Sequence, residues 1–328
     1  MKHYSIVYQY SMRISSLLQK KLVSSAKKEY NEEDLEMFGG NFMILLTGLT
    51  LFALLSAVVA GIGGGILTAL LTFVGSWIGG LVVLALFLLV ATFVVDMEKE
   101  QTTDSKFYRT MAHLYIDLIM LLGRIEVRTQ GLEKIPTDGR FLLVCNHICD
   151  LDSALLLKCF PKSQLCFIGK QELKTMPVVG AVMHKMMCQF INRENDREAL
   201  KTILRCIQMI KDDQASIVVF PEGYVSMDGR LRHFRSGALK IAQKPGVPIV
   251  VCTVHNSKRM MADLLALRKT WGQVHLVDVI DAETVKSMPT TELAEKIYEI
   301  MISDLGEDHR SDEKAMHPDL QTCIDPVE

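Results

Sequence analysis

At 328 residues the chain is long enough for one large domain or two modest ones, and a 49% hydrophobic content points to a part held in lipid. A formal net charge of -2 offers no basic excess for a nucleic-acid partner. Eight cysteines without C-x-x-C spacing, seven of them between Cys145 and Cys252, exclude a disulfide framework and a zinc site, and read as small buried hydrophobes in a reducing compartment.

Residues 1–41 are polar, with Lys20, Lys21, Lys27 and Lys28 ahead of an acidic cluster from Glu29 to Glu36. They are expected to form a cytoplasmic segment, because the apolar region that follows starts too late and runs too long for a cleavable signal. From Phe42 to Val95 there are 54 residues and no charge. A membrane-spanning helix needs about 20 apolar residues, so this run is too long for one span and long enough for two. Gly61, Gly63, Gly64 and Gly65 can reverse the chain, giving spans near 42–60 and 68–94. Basic residues flank both ends (Lys27 and Lys28, then Lys99, Lys106 and Arg109) and none lies in the glycine turn. The expectation is a two-helix membrane anchor over 42–96, multi-pass, with both ends and the catalytic domain on the cytoplasmic side.

Phe107, Met111, Leu114, Leu118, Leu121 and Leu122 make an apolar stripe at helical spacing, which lies on the membrane or packs on the domain. A strand over Ile125 to Thr129 precedes turns at Gly131 and at Pro136 to Gly139. Phe141 to Cys145 is apolar without alternation, as suits a strand covered on both faces. Then come a short helix at Ser153 to Lys158, a strand at Gln164 to Ile168, and an amphipathic helix at Asn195 to Lys211 with Leu200, Ile203, Leu204, Ile207 and Ile210 on one side. Strands return at Ser216 to Phe220 and Val247 to Val254. Such alternation predicts an α/β class catalytic domain over 97–305, a mostly parallel sheet flanked by helices, preceded by the transmembrane helical hairpin. Residues 306–328 read as a charged, irregular and mobile tail.

The buried strand at Phe141 to Cys145 stops at Asn146 and delivers His147 to an edge, with Asp152 five residues on. On a continuous helix that spacing turns the two side chains about 140° apart, so they meet only across a strand-to-helix turn. There the carboxylate can fix one imidazole nitrogen and leave the other free to take a proton from a hydroxyl. Taken alone, such a pair is more often a loop cap beside an incidental histidine. Cys149 invites a second reading as a thiol nucleophile with His147 as its base, which close neighbours in a loop rarely achieve.

Four ordered blocks settle the weighting. Asn146-His147 with Asp152; Ile168 to Leu173 through Pro177, Gly180 and Phe190-Ile191-Asn192-Arg193; Phe220-Pro221-Glu222-Gly223; and Val247-Pro248-Ile249-Val250 together resemble the 1-acylglycerol-3-phosphate acyltransferase family over roughly residues 120–300. Phe234 to Ala238 also fits.

The resemblance implies transfer of a fatty acyl group from acyl-CoA or acyl carrier protein to a lysolipid hydroxyl, with no metal and no cofactor beyond that co-substrate. Its partners are the acyl donor and membrane lipids. His147 is then the general base and Asp152 its orienting partner. Arg193 binds the acceptor phosphate and Glu222 the glycerol part, with Gly223, Lys170 and Arg235 as further substrate-binding candidates. Two departures stand out. Cys149 and Asp150 replace the family's usual serine and aromatic, giving the imidazole a second possible carboxylate partner. Tyr224-Val225 replace the usual Thr-Arg, so one phosphate ligand is missing unless Arg230, Arg232 or Arg235 supplies it. That leaves open a different lysophospholipid or an aminolipid as acceptor, and a non-catalytic lipid-binding protein as a more distant alternative.

Overall fold

The computed structural model describes residues 32–226 and 228–311. The expected N-terminal segment through residue 31, and the tail beyond 311, lie outside the described residues. The chain divides into two compact units, one through Leu81 and one from Val82.

Helix α1 (Glu32–Phe93) carries the uncharged run, and its backbone leaves helical geometry at one residue, Gly65 (φ 77, ψ -175). That left-handed region is open to glycine without a Cβ clash. The break is tighter than the glycine cluster implied, because Gly61, Gly63 and Gly64 remain helical. Within the first unit, a Cβ built on Gly80 would run into Leu49. About thirty residues separate this pair, and a straight helix would hold them on the order of 45 Å apart at its 1.5 Å rise. Residues Ile44–Phe93 are long and apolar enough to cross a membrane. Their large side chains face outward, Ile62 at 75% and Ile66 at 82% exposure.

In the second unit, α2 (Lys106–Leu122) runs antiparallel to residues 84–91, with Tyr108 Oη donating to the Ala91 carbonyl (2.7 Å) and Tyr115 Oη to that of Leu84 (2.6 Å). The helix packs on the domain through a face unlike the expected stripe. Arg109, His113 and Asp117 are buried with Leu114, Ile116 and Met120, while Leu122 stays exposed. Polar partners make this possible. Arg109 pairs with Asp104 at 2.6 Å and donates to the Leu165 carbonyl, and Asp117 accepts from Lys158 at 2.5 Å.

The elements then alternate: β1 (Ile125–Gln130), β2 (Leu142–Cys145), α3 (Asp152–Cys159), β3 (Leu165–Lys170), α4 (Val179–Lys185), β4 (Gln189–Ile191), α5 (Asp196–Lys211), β5 (Ser216–Val219), α6 (Lys240–Gln243) and β6 (Ile249–His255). No element was assigned from sequence beyond Val254. The structure adds α7 (Ser257–Leu265), β7 (Thr270–Ile280), α8 (Ala282–Ser287) and α9 (Thr290–Leu305). Seven strands form one sheet in the order β1-β7-β6-β2-β5-β3-β4. β6, β2, β5, β3 and β4 are parallel, whereas β7 is antiparallel to β6 and parallel to β1.

Successive strand side chains point to opposite faces, and the core divides accordingly. Leu142 and Val144 of β2 join one cluster with α5, α6 and α9; Leu143 and Cys145 join the other with α2, α3 and Met260 of α7. Every side chain of β2 and β5 is buried, which accounts for their unbroken apolar runs. Helix α5 starts on Asn195, whose side chain accepts the amides of Arg197 and Glu198. Its buried arc takes in Cys206 and Met209 with Ile207 and Ile210, leaving the expected Leu200 and Leu204 exposed.

The C-terminal side is more ordered than the composition implied. Asp304 of α9 accepts His255 Nε2 (2.9 Å), His275 Nδ1 (2.5 Å) and the Thr253 hydroxyl, which ties the helix to β6 and β7. Residues 306–311 dock on the domain instead of forming a mobile tail. The Leu231 amide donates to the His309 carbonyl (2.7 Å), and Arg310 forks onto Glu299 at 2.7 and 2.8 Å. The seven described cysteines are buried and form no disulfide with one another.

Candidate active site

The carboxyl ends of β2, β5, β3 and β4 bring the candidate residues to one edge of the sheet, where open α/β sheets place their ligands. β2 delivers Asn146 and His147. The Asn146 side chain continues the strand pairing past its backbone end, with Oδ1 accepting the Val254 amide (2.7 Å) and Nδ2 donating to the Val254 carbonyl (3.1 Å). This anchor is invisible in the sequence because its partner lies 108 residues away.

The turn from β2 into α3 brings His147 and Asp152 together as their spacing required. His147 Nδ1 lies 2.9 Å from Asp152 Oδ2, and the same oxygen accepts the amides of Ile148 (2.8 Å) and Cys149 (2.9 Å). Asp152 is fully buried in the first turn of α3. Three donors converge on that one carboxylate oxygen, and accepting from the ring places the imidazole hydrogen on Nδ1. Among the described residues Nε2 has no hydrogen-bond partner, so it is the ring nitrogen open to act as a base. The ring stacks on Phe220 at 4.0 Å and 14°, so β5 sets its plane. Asp150, the second possible carboxylate, is exposed, and the imidazole's bond goes to Asp152. The Cys149 side chain is buried, and burial raises its thiol above the ordinary cysteine range, the reverse of what a thiolate nucleophile requires.

Glu222 differs from its expected role. It is 0% exposed, Oε1 accepts the His147 amide at 3.0 Å, and Oε2 accepts the Arg232 amide at 2.9 Å. Both oxygens are thus engaged within the protein, and the carboxylate ties the two loops together. Burial pushes its carboxyl up to about 8 against the two amide donors, which favour the anion. The Ser226 amide closes the same junction from the other side by donating to the His147 carbonyl (2.7 Å).

Arg193 follows β4. Burial and the neighbouring Arg235 guanidinium both lower its pKa, with Glu172 partly offsetting them. Two neighbouring guanidinium groups can hold an anion between them. Arg235 lies over Gly223 (φ +81), where a Cβ would stand 3.1 Å from Arg235 Nε. Of the three arginines that might replace the missing ligand, Arg230 is exposed and Arg232 is paired with Asp228, which leaves Arg235 beside Arg193. Lys170 sits exposed at the end of β3 and makes no hydrogen bond or ion pair with the other candidates.

An α/β sheet presenting a buried Asp, an oriented His and an arginine pair at its carboxyl edge is matched by a family comparison: residues 126–255 fit the model of the family described as Acyltransferase. The chain is similar to the Brassica napus protein "1-acyl-sn-glycerol-3-phosphate acyltransferase BAT2, chloroplastic", 34% identical over 48% of this chain and 44% of that relative. A Borreliella burgdorferi 1-acyl-sn-glycerol-3-phosphate acyltransferase is 26% identical over 58% of this chain and 80% of its own length. The chain thus spans less than half of the Brassica relative. Among solved structures, the Thermotoga maritima 1-acyl-sn-glycerophosphate (LPA) acyltransferase, PlsC, is 22% identical with a TM-score of 0.48, over 69% of this chain and 89% of that one.

Proposed function

We propose that this chain is a membrane-anchored enzyme that moves a fatty acyl group from a thioester, acyl-CoA or acyl carrier protein, to the free hydroxyl of 1-acylglycerol-3-phosphate. The observation that carries the reading is the His147–Asp152 pair, whose Nδ1 is held and whose Nε2 has no partner among the described residues. His147 Nε2 takes the proton of the acceptor hydroxyl as that oxygen attacks the thioester carbonyl. Collapse of the tetrahedral intermediate expels the thiolate, which recovers the proton from the imidazolium. A positioned general base of this kind contributes about 10²- to 10⁴-fold. No acyl-enzyme is needed, because the thioester is already activated. Arg193 and Arg235 hold the phosphate of the acceptor. The amides of Ile148 and Cys149 are engaged by Asp152, so the oxyanion donors lie elsewhere.

The anchor reading rests on the uncharged run, the glycine break at Gly65 and the approach of Gly80 to Leu49. We read residues 42–96 as a hairpin in the bilayer and 97–305 as the catalytic domain on the cytoplasmic side. Purified full-length protein assayed with one acyl thioester against a panel of lysolipids tests the function. Turnover with lysophosphatidic acid supports it, and no transfer to any acceptor would sink it. Tyr224-Val225 favour a second outcome, preference for another lysophospholipid or an aminolipid, which the same panel would reveal.

A further inference from the structure

Between β5 and α6, the described residues from Phe220 to Arg235 form neither helix nor strand, apart from one bridge that pairs Leu231 with Arg310. A segment without a ladder of its own must find partners elsewhere for its buried backbone groups. Leu231 is 2% exposed, and both of its groups are taken from the C-terminal side of the chain. Its amide donates to the His309 carbonyl (2.7 Å), and its carbonyl accepts from the Tyr298 hydroxyl (3.1 Å). Two residues earlier, the Gly229 carbonyl accepts from His309 Nδ1 (2.8 Å). These side-chain partners stand 67 and 80 residues apart along the chain.

The holding residues are themselves fixed. The Tyr298 ring meets Phe234 edge-on at 5.4 Å, and the Arg310 guanidinium lies over the Tyr298 ring at 5.6 Å. Asp304 pins the last turn of α9 to β6 and β7 through Thr253, His255 and His275. His309 and Arg310 are half-buried, although residues 306–308 just before them are exposed.

The loop held in this way reaches His147 from two sides. The Arg232 amide, next to Leu231, holds Glu222 Oε2 (2.9 Å), and Glu222 Oε1 holds the His147 amide (3.0 Å). From the other side the Ser226 amide donates to the His147 carbonyl (2.7 Å), and the Ser226 hydroxyl donates to the Arg230 carbonyl (2.6 Å). Residues 226–232 therefore set the backbone on both sides of the imidazole, and they are set in turn by His309 and Tyr298.

We infer that residues 306–310 are a clip that positions His147, with His309 as the first positioning residue and Tyr298 as the second, acting through the Leu231–Arg232 backbone and Glu222. It rests on the reading of His147 as the general base. Such a base must come within about 2.6–3.2 Å of the proton it takes, so small shifts of its backbone are felt in the chemical step. Arg235 is anchored separately, its amide on the Pro221 carbonyl (2.9 Å). Loss of the clip should therefore appear in kcat and spare the acceptor's KM.

The test uses full-length protein in detergent, carrying His309→Ala, His309→Asn or Tyr298→Phe. His309→Asn keeps a short side-chain N–H donor, and Tyr298→Phe removes one hydroxyl while keeping the ring that meets Phe234. A misplacement of about 1 Å can cost on the order of 100-fold, and the smaller shift in His309→Ala should lower kcat roughly tenfold. Acceptor KM should stay within about twofold of wild type, and His309→Asn should regain most of the lost kcat. In a Glu222→Ala background, His309→Ala should lower kcat by less than about twofold, because the relay is already cut. Hydrogen exchange reads the same relay without turnover: peptides containing His147 should exchange faster in His309→Ala than in wild type. Wild-type kcat and wild-type exchange at His147 in a folded His309→Ala protein overturn the clip and leave the general-base reading intact. An undiminished loss in the Glu222→Ala background also overturns it, since His309 would then act by another route. If His309→Ala does not fold, Tyr298→Phe decides by the same two measurements. Absence of transfer by wild type to any acceptor removes the general-base reading and this inference with it.

Discussion

Oε1 of Glu222 accepts the His147 amide at 3.0 Å while its other oxygen holds the Arg232 amide, so one buried carboxylate joins the loops after β2 and β5. Removing it in Glu222→Ala leaves two buried donors without an acceptor, each costing about 1–3 kcal/mol. The catalytic effect follows from displacement of His147, since about 1 Å of misplacement can cost on the order of 100-fold. The expected outcome is a kcat lower by about that factor with acceptor KM nearly unchanged, and partial rescue by Glu222→Gln, which keeps one carbonyl acceptor. Steady-state kinetics separate this from a glycerol ligand, whose loss would raise acceptor KM.

His147→Ala should abolish transfer, and Asp152→Asn should lower kcat by roughly 10²- to 10⁴-fold because the imidazole loses its fixed tautomer and the stabilisation of its charged form. Cys149→Ser should retain most activity, and no acylated enzyme should be trappable by mass spectrometry. A folded His147→Ala protein with near-normal turnover would remove the general-base mechanism.

Much of this site was legible in sequence, for a local reason. His147 and Asp152 sit on one turn, so their spacing alone limited how they meet, and the unbroken run from Phe141 to Cys145 announced a strand buried on both faces. What escaped involves distant partners. Asn146 pairs with Val254, the His147 ring lies on Phe220, and Glu222 is saturated by amides from two loops. Each depends on side-chain direction, which no linear pattern records. The structural tie made by Glu222 escaped for this reason, since its block identifies a turn without showing which way the carboxylate faces. β7 is different, for its signal was present. Thr270, Gly272, Val274 and Leu276 alternate inward, and the alternation is blurred by Gly272, whose missing side chain makes room for Leu155 and Met260.

His113 makes the stability of the domain depend on pH. Burial first, then the Arg109 and Lys158 charges, lowers its pKa to about 4 from the usual 6.5. Between those values the unfolded chain binds a proton that the folded one refuses, so stability falls as pH drops from 6.5 toward 4. The loss reaches roughly 3 kcal/mol once both states are protonated. In detergent, chemical denaturation of wild type should show this decline, and His113→Leu should lack its share of it whatever its stability at pH 7. Equal pH slopes for the two proteins would contradict the assignment.

The arginine pair carries the last prediction. Burial and Arg235 both oppose the Arg193 charge, so an anion placed between the two guanidinium groups relieves a repulsion as well as forming new bonds. A charge-assisted hydrogen bond is worth about 1.5–3 kcal/mol, which is roughly 10- to 150-fold in affinity. Arg193→Ala and Arg235→Ala should each raise acceptor KM by about that range while donor KM changes little. The double variant should cost less than the product of the singles, because each single also removes the repulsion felt by its neighbour. Gly223→Ala should mimic Arg235→Ala in part, since its Cβ would press on Arg235 Nε and the backbone is left-handed there. Val225→Arg restores a basic side chain at the position where the resembling family carries one, and should lower KM for lysophosphatidic acid. If Arg193→Ala leaves acceptor KM untouched while the lysolipid panel shows turnover with an uncharged or amine acceptor, the phosphate assignment fails and the alternative acceptor class stands.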